Sequence, residues 1–439
     1  MGHVVNHERE YRLLQQRLDR MVTGAPESPE LMKILQMLFS SEEAELACRI
    51  PSQPASLEVL SREVGMPRAE LDEKLTGMAR RGLMLDLELE GERYFALPPV
   101  VIGFFEFVFM RARPDMPLAE LAQLFEKYMH GDGAFAHSVF AGQTQLGRAL
   151  VREEALPEGD HTEILDWERA SRIVQDASSV GVSTCPCRHK KEHLGKVCDA
   201  PQRTCLTFGY AADSMVRTGA AERIDTSEAM HILEQCKESG LVQIGDNVQR
   251  RLSFMCNCCK CCCGMLDAVT TFNIHTAIVT SNWIVSVDPE RCRGCGKCVK
   301  ACPVGALELC IETVDGRRRG RSVPDEELCL GCGVCSAVCK DGGISMRPRK
   351  QRVYCPEDLF EKAVAMAIER GKLAELLFEE RERLSHRALA RLVKVLEKSG
   401  PMKAAMAIHP LRSAFLWAMA KGARMATGKL RRLFEAPPA

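Results

Sequence analysis

The chain has 439 residues, 46% of them hydrophobic and 27% charged, and its 59 basic side chains balance 59 acidic ones. The apolar fraction excludes a disordered chain, and the zero net charge argues against a protein that coats nucleic acid. The 22 cysteines are too dense for an ordinary cytosolic enzyme and too sparse for a small disulfide scaffold, so their distribution along the chain is decisive.

The amino terminus bears on whether the cysteines form disulfides or bind metal. The opening residues, MGHVVNHEREYRLLQQRLDRM, are charged and patterned as a helix, without the apolar stretch of a secretion signal. The longest apolar run, residues 94–110, is interrupted by Pro98, Pro99 and Glu106 and is shorter than a membrane span of about 20 residues. We therefore expect a cytoplasmic protein, in which clustered cysteines serve as metal ligands or redox groups.

Residues 1–110 are predicted to form an N-terminal helical domain. An apolar helical period begins at Ser28, two further helices are predicted around SLEVLSREVG and LDEKLTGMARRG, and two alternating strands flank a turn at Glu90 and Gly91. This order resembles a winged helix-turn-helix. The helix that would read DNA carries nearly balanced charges, whereas a DNA-binding face is cationic. The pattern favours a scaffold or dimerisation role, with a homo-oligomer as its consequence, over nucleic-acid binding.

Three further segments complete a predicted multidomain α+β protein. Residues 111–283 form a cysteine-rich middle domain of mixed α/β character, with helices expected over 117–129 and about 162–179. Residues 284–350 hold two tandem cysteine motifs. Residues 351–439 are expected to form a helical extension, with helices from about 356 to 399 and from about 402 to 434.

The two tandem motifs give the strongest chemical signal. RCRGCGKCVKACPVGAL and LCLGCGVCSAVCKDGGI share the spacing C-x2-C-x2-C-x3-C. Such a loop lets three thiolates surround one iron–sulfur cube, while the fourth lies on the next helical turn and reaches a neighbouring cube. Glycines within each motif let the backbone approach the sulfurs closely. Pairs of the form C-x2-C also bind zinc, but the repeated third and fourth cysteines favour iron–sulfur clusters.

Residues 284–348 resemble the bacterial dicluster ferredoxin domain. The resemblance implies one [4Fe–4S] cluster on Cys292, Cys295, Cys298 and Cys339, and a second on Cys329, Cys332, Cys335 and Cys302. The chain departs from that pattern in a basic insertion, GRRRGR, and at Lys340, where a proline often follows the second motif. We expect Lys340 to alter the surroundings of the second cluster without changing its ligands.

Ten more cysteines lie in two stretches of the middle segment. They are Cys185, Cys187, Cys198, Cys205, Cys256, Cys258, Cys259, Cys261, Cys262 and Cys263. Each stretch follows a strand-like segment, VGVST or RLSFM, and is expected to leave it as a loop. The six thiols of CNCCKCCC cannot all face one metal, because side chains on a strand alternate sides. Zinc, copper(I) and arsenic-type soft metals stay as alternatives to iron–sulfur here, since all of them prefer thiolates.

The combination of CPCR, CDAP and CNCCKCCCG ahead of a ferredoxin pair resembles a family of anaerobe-associated 4Fe–4S binding proteins. The resemblance covers roughly residues 160–350 and implies one or two iron–sulfur clusters beyond the ferredoxin pair. Members of the family often carry a histidine where this chain has Gln243. Cysteine-rich CCG domains are a weaker likeness, because their long ligand spacings are absent.

Basic side chains accompany both cysteine regions. The first stretch carries Arg188, His189, Lys190, Lys191 and His193, which would either stabilise thiolates or form a solvated loop. Between the ferredoxin motifs lie Arg317, Arg318, Arg319 and Arg321, which suit an acidic redox partner or a solvated hairpin tip. Four cysteines are unassigned, namely Cys48, Cys236, Cys310 and Cys355, and of these Cys310 is a candidate auxiliary ligand.

The predicted helix from Met402 is basic and amphipathic, with seven Lys or Arg against one Glu. We expect it to pack on its own domain, with peripheral contact to an anionic membrane as the alternative.

Three functional hypotheses follow. The first is an electron-transfer protein that passes low-potential electrons through its clusters to a partner oxidoreductase, since no nucleotide or flavin motif is found in the sequence. The second is a redox-sensing regulator of transcription built on the winged helix. The third is a reductase whose middle domain holds a cluster with an open coordination position; no catalytic residues are identified for it.

Overall fold

The computed structural model describes residues 8–156, 166–314 and 317–377. Within these ranges the chain forms two compact units, and each is discontinuous in sequence. The first unit contains residues 8–144, 214–220 and 356–377. The second contains the described parts of 145–213 and 221–355. The mixture of helices and sheets confirms the α+β class, whereas the division into four sequence segments stays a prediction.

Helices dominate residues 8–144. They are α1 (Arg9–Asp19), α2 (Pro29–Leu38), α3 (Ser41–Arg49), α4 (Leu57–Val64), α5 (Arg68–Arg80), α6 (Phe105–Phe109), α7 (Leu118–His130) and α8 (Ala134–Phe140). Helix α2 shows why they form where they do. The hydroxyl of Ser28 accepts a hydrogen bond from the Leu31 N–H, Pro29 occupies the first turn, and the predicted apolar face is buried.

A small sheet accompanies these helices. Its strands are β1 (Ala55–Ser56), β2 (Leu85–Leu89) and β3 (Glu92–Ala96), arranged in the order β1-β3-β2. The predicted hairpin is present, and its turn residues Glu90 and Gly91 both have positive φ, which suits the twist of a two-residue hairpin. The apolar run of residues 94–110 leads from this sheet into α6, and Phe104, just before the helix, and Phe109, at its end, are fully buried.

A six-stranded antiparallel sheet is the centre of the second unit. Its order is β4-β8-β9-β6-β5-β7. The strands are β4 (Gly147–Ala149), β5 (Val180–Thr184), β6 (Arg203–Phe208), β7 (Glu222–Ile224), β8 (Val242–Asp246) and β9 (Phe254–Cys258). The helices between and after these strands are α9 (Ala170–Gln175), α10 (Pro186–His193), α11 (Gly209–Arg217), α12 (Thr226–Glu238) and α13 (Gly264–Thr270), and residues 214–217 of α11 belong to the first unit.

Helix α9 is shorter than the helix predicted over about 162–179. It ends at Gln175 and is followed by Asp-Ala-Ser-Ser, whose side chains compete for backbone hydrogen bonds and disfavour a continued helix. Residues 162–165 of the prediction lie outside the described ranges.

The two tandem cysteine motifs lie between a pair of antiparallel strands, β10 (Trp283–Val287) and β13 (Ile344–Pro348). Each motif contributes a one-turn helix, α14 (Lys297–Ala301) or α15 (Val334–Ala337). A hairpin of β11 (Leu307–Val314) and β12 (Arg317–Pro324) separates the two motifs. This part of the second unit, residues 283–348, is called the ferredoxin module below.

The chain then returns to the first unit through α16 (Leu359–Glu369) and α17 (Leu373–Leu377). The helix predicted over about 356–399 is broken at Gly371, whose φ of +64° ends α16. Residues beyond 377, including the predicted basic helix, lie outside the described ranges. Among the helices of the described residues, none has the length and apolarity that a bilayer crossing requires.

Candidate metal centres

The two halves of the ferredoxin module fold alike. Helices α14 and α15 each follow a glycine in the left-handed region, Gly296 with φ +70° and Gly333 with φ +76°. Each helix carries the third cysteine of its motif, Cys298 or Cys335, and both thiols are buried. Because only glycine adopts this backbone without strain, the glycine before the third cysteine sets the turn that aims each thiol inward.

A cavity in the module is lined by cysteines of both motifs. It has about 330 Å3 of space not filled by protein atoms, part of it open to solvent. Its thiols are Cys302, Cys329, Cys332 and Cys335. Apolar side chains such as Val285, Leu307 and Met346 complete the lining. The fourth cysteine of the first motif therefore lies with the first three of the second, which is the arrangement that a [4Fe–4S] cube with crossed ligands needs.

The wall of this cavity fits a cluster closely. The backbone N–H of Ala306 donates to the Cys302 Sγ at 3.2 Å, as amides near cluster sulfurs do. A Cβ on Gly331 would lie 2.1 Å from the Trp283 carbonyl oxygen, so this position accepts only glycine. Burial raises the pKa of Cys332 to about 12, so its thiol stays protonated until a metal displaces the proton.

The first motif lies beneath the inserted hairpin. The quartet predicted around it is Cys292, Cys295, Cys298 and Cys339, and Cys295 is exposed. Strand β12 is packed against the motif so closely that a Cβ on Gly294 would lie 2.3 Å from the Gly320 carbonyl oxygen. On the same strand, the Ser322 hydroxyl is 3.0 Å from the Cys298 Sγ. The basic insertion therefore belongs to a hairpin that covers the first motif.

The ten cysteines of the middle segment separate into two sets. The six-thiol group comprises Cys185, Cys187, Cys205, Cys256, Cys258 and Cys263. The four-thiol group comprises Cys198, Cys259, Cys261 and Cys262. The alternation of strand side chains predicted that the six thiols of CNCCKCCC would divide, and they do, but the membership of each set depends on the fold.

Strands and helix starts build the six-thiol group. Cys256 and Cys258 point to one face of β9, and Cys205 lies on the adjacent strand β6. Cys185 and Cys263 are the residues immediately before α10 and α13, and Cys187 lies in the first turn of α10.

Hydrogen bonds connect the six thiols in a chain. Those from Cys205 and Cys258 lower the pKa of Cys256 to about 5. Those from Cys185 and Cys263 hold the pKa of Cys187 well below its usual range. Hydrogen bonding to a neighbouring thiolate, together with burial, raises the pKa of the remaining four, namely Cys185, Cys205, Cys258 and Cys263. The hydrogen bonds therefore favour the thiolate form at Cys187 and Cys256.

The four-thiol group is tighter and nearer the surface. All four Sγ atoms lie within 4.8 Å of one another. The Cys198 and Cys259 sulfurs are 3.6 Å apart, and those of Cys261 and Cys262 are 3.7 Å apart. A hydrogen bond from Cys262 lowers the pKa of Cys259 to about 5. Cys261 is exposed and Cys262 is buried.

Arg188 lies close to both thiol groups and is fully buried. Its guanidinium donates to the Asn257 carbonyl at 3.0 Å and to the Cys259 Sγ at 3.8 Å. Burial opposes its charge, but the neighbouring sulfurs of Cys185 and Cys259 outweigh burial and raise the pKa of Arg188. A buried cation beside thiolates stabilises the charged sulfurs that a metal binds.

A buried polar network holds Arg188 in place. The Asn257 amide donates to the Thr204 carbonyl at 2.8 Å and accepts from Gln243 at 3.1 Å, and the Thr204 hydroxyl accepts from Arg188. Gln243 is thus a structural neighbour of the thiols. The sequence did not single out Asn257 or Thr204; their position between ligand cysteines was the one available clue.

The structure corrects the predicted first loop. Residues 186–193 form helix α10, which begins with Pro186, a residue favoured in the first turn because it needs no N–H partner there. Arg188, His189 and Lys190 are buried, so the solvated-loop interpretation is wrong for these three side chains.

The four unassigned cysteines stay apart from the thiol groups. Burial raises the pKa of Cys48 to about 11 and that of Cys236 to about 12, so both thiols are neutral. Cys355 is also buried, and Cys310 lies on β11 opposite Arg321.

Comparison with known protein families identifies the first motif. A 4Fe-4S binding domain matches residues 285–308, a range that includes Cys292, Cys295, Cys298 and Cys302. The chain is an iron–sulfur protein. It carries at least one 4Fe–4S cluster, and its cysteine sets are suited to electron transfer. Comparisons with curated proteins and with solved structures gave no match.

Proposed function

We propose that this iron–sulfur protein passes low-potential electrons through two ferredoxin-type [4Fe–4S] clusters and a further cluster to a partner oxidoreductase. The observation that carries the proposal is the single cavity lined by Cys302 together with Cys329, Cys332 and Cys335. A zinc ribbon takes two cysteines from each of two motifs, whereas a cube with crossed ligands takes three from one motif and one from the other, as this cavity does.

In this proposal, Cys292, Cys295, Cys298 and Cys339 hold the first cluster, and the four cavity cysteines hold the second. The clusters supply one-electron chemistry when bound. The protein contributes hydrogen bonds to sulfur from Ala306 and Ser322 and an apolar wall around the second site. Such contacts set the reduction potential of each cluster.

The six-thiol group is proposed as the site of the further cluster. Six hydrogen-bonded thiols exceed the four that one cube needs, and hydrogen bonds lower the pKa of two of them, Cys187 and Cys256. The group belongs to the same compact unit as the ferredoxin module. The two regions also touch, because the Lys260 ammonium donates to the Lys300 carbonyl at 3.4 Å, between Cys298 and Cys302. This contact supports a short electron path between them.

The hairpin over the first motif is proposed as the docking surface for an acidic redox partner. Strand β11 exposes Leu309 and Ile311, the latter 60% exposed. Strand β12 carries four arginines in its sequence. Exposed apolar side chains on a hairpin with a cationic sequence suit a transient electron-transfer contact, and the first motif beneath the hairpin has an exposed cysteine, Cys295.

We propose a scaffold role for the first unit. Three cations on and beside α5 are paired with carboxylates. Lys74 is 3.7 Å from Glu70, and Arg93 is 2.6 Å from the buried Asp86. Arg81 likewise pairs with Glu43. Cations neutralised in this way are poor phosphate ligands, which argues against the winged-helix regulator despite the order of its elements.

Iron and sulfide analysis of full-length protein purified without oxygen tests the proposal. Two cubes and a further cluster predict about twelve iron atoms per chain, and reduction by dithionite should give EPR signals of interacting clusters. An iron content below about eight atoms per chain would reject the two ferredoxin clusters. Duplex binding at low salt that changes with oxidation state would instead support the regulator.

A further inference from the structure

The four-thiol group has the dimensions of a site for one metal ion. Two of its sulfur–sulfur separations are 3.6 Å and 3.7 Å, and none exceeds 4.8 Å. Four sulfurs placed tetrahedrally at about 2.3 Å from a central ion are separated by about 3.8 Å. The observed separations therefore match a tetrahedron of thiolates around a single ion.

The other cysteine sets do not have this spacing. Within residues 8–156, 166–314 and 317–377, no second group of three or more Cys, His, Asp or Glu ligand atoms lies within 4.8 Å of one another. The ferredoxin quartets belong to this comparison, and they are wider. The difference is expected, because each thiolate of a cube binds a different iron and the cube itself separates them.

We propose that Cys198, Cys259, Cys261 and Cys262 bind one zinc ion in a closed four-thiolate site. Zinc forms such sites with four protein ligands and no open position. Cys259 and Cys262 supply a C-x2-C pair, which is the usual local unit of structural zinc sites. The site goes beyond the proposed electron-transfer role, since zinc has no redox chemistry.

The surroundings of the four thiols suit the charge of this site. One Zn2+ with four thiolates carries a net charge of about −2. The buried guanidinium of Arg188 lies 3.8 Å from the Cys259 Sγ and donates to it. Hydrogen bonds of this kind orient metal ligands and typically contribute a factor of about 10 to 100 in affinity.

The zinc ion would restrain a segment that has no regular secondary structure. Residues 195–202, between α10 and β6, contain no helix or strand in the structure as described, and Cys198 lies near their middle. Zinc would tie this segment to the turn at residues 259–262. That turn contacts α14 through Lys260, so the ion would stabilise the chain next to the ferredoxin module.

Zinc and iron analysis of full-length protein tests the site. We expect about one zinc per chain, with X-ray absorption at the zinc edge giving four sulfur neighbours at about 2.3 Å. The variant C259S/C262S should lose the zinc and retain its iron, whereas C48S, a half-buried thiol of the first unit, should retain both. The absorption measurement uses the unmodified protein, so it stays decisive if the double variant fails to fold.

A second readout uses the exposed Lys196. Removing zinc with a chelator should increase tryptic cleavage after Lys196, while the cluster absorbance is unchanged. Iron bound by the four thiols, or a zinc content near zero, would overturn the inference. Either result leaves the proposal of two ferredoxin clusters intact. A shortage of iron with zinc still bound would instead reject the electron-transfer role. Failure of the zinc site and failure of the electron-transfer role are therefore distinguishable.

Discussion

The ferredoxin module and the six-thiol group collect cysteines in opposite ways. In the module, three ligands of each quartet come from seven consecutive residues, and a one-turn helix after a glycine places the third. In the six-thiol group, the cysteines come from two strands and the starts of two helices, far apart in sequence. Sequence spacing within each motif therefore brings the module cysteines together, whereas the strand order of the sheet brings the six thiols together.

This difference determines which substitutions displace the cysteines of each region. The ladder between β8 and β9 fixes the spacing of Cys256 and Cys258, so their positions are set by the sheet before metal arrives. In the module, the motif cysteines lie outside the β11–β12 ladder, and their positions depend on close backbone contacts around glycine. Disturbing one region should therefore leave the ligands of the other in place.

The largest effect is expected from Cys335→Ser. Loss of a thiolate from the cavity should remove one cube, or about four iron atoms per chain, because a serine hydroxyl is a poor ligand for iron. EPR should retain signals from the six-thiol cluster, which shares no ligand with the cavity. The control Cys310→Ser removes a thiol from β11 and should keep the full iron content. Unchanged iron in the Cys335 variant would contradict the cavity assignment.

The next largest effect is expected from glycine substitutions in the module, where a side chain would collide with the backbone. Gly331 and Gly305 both have φ above +70°, but a Cβ on Gly331 would lie 2.1 Å from the Trp283 carbonyl oxygen, while nothing lies within 4 Å of one on Gly305. Gly305→Ala should lower the free energy of unfolding by about 1 kcal/mol, from the left-handed backbone alone. Gly331→Ala should lower it by at least about 3 kcal/mol.

Thermal unfolding followed by circular dichroism and by cluster bleaching measures both glycine variants. Equal losses of stability in Gly305→Ala and Gly331→Ala would contradict this prediction, because the backbone would then accommodate a Cβ at Gly331 without a further loss of free energy.

Arg188→Gln should act on the middle thiols alone. The guanidinium contacts the Cys259 Sγ and hydrogen bonds to the sheet, so its loss should weaken metal binding there by about 10- to 100-fold. Competition with a chelator measures this affinity, and the ferredoxin EPR signals should be unaffected. Lys191→Gln, on the same helix but partly exposed, is the matched control. A uniform loss of metal from both regions would show that they are not independent.

The smallest expected effect is on the potential of the first cluster. The Ser322 hydroxyl is 3.0 Å from the Cys298 Sγ, and a donor at sulfur favours the reduced, more negative cluster. Ser322→Ala should shift that potential by roughly 40 mV to more negative values, equivalent to about 1 kcal/mol for one electron. Redox titration monitored by EPR measures the shift. Ser345→Ala, exposed on β13, should leave the potential unchanged.

The parts of the molecule that sequence predicts are those fixed by neighbours in the chain. The hairpin at Glu90 and Gly91 and the buried face of α2 were predicted because their signals lie within a few residues. The partition of the ten thiols was not, because Cys198 meets Cys259 across 61 residues and only the sheet brings them together. Helix α10 was predicted as a loop because its polar sequence hides the burial of Arg188 and Lys190 against the thiols.

The discontinuity of the first unit has a consequence for synthesis. Glu369 of α16 accepts hydrogen bonds from the Gln143 and Thr144 backbone N–H groups. The Lys372 ammonium donates to the Asp19 and Met21 carbonyls. Residues 356–377 therefore complete a unit whose other residues come much earlier in the chain. During synthesis, residues 145–355, which contain 21 of the 22 cysteines, leave the ribosome before Glu369 and Lys372 emerge from it. The thiol-bearing unit is thus ready to receive metal while the first unit is still open, and maturation should run from the middle of the chain outward.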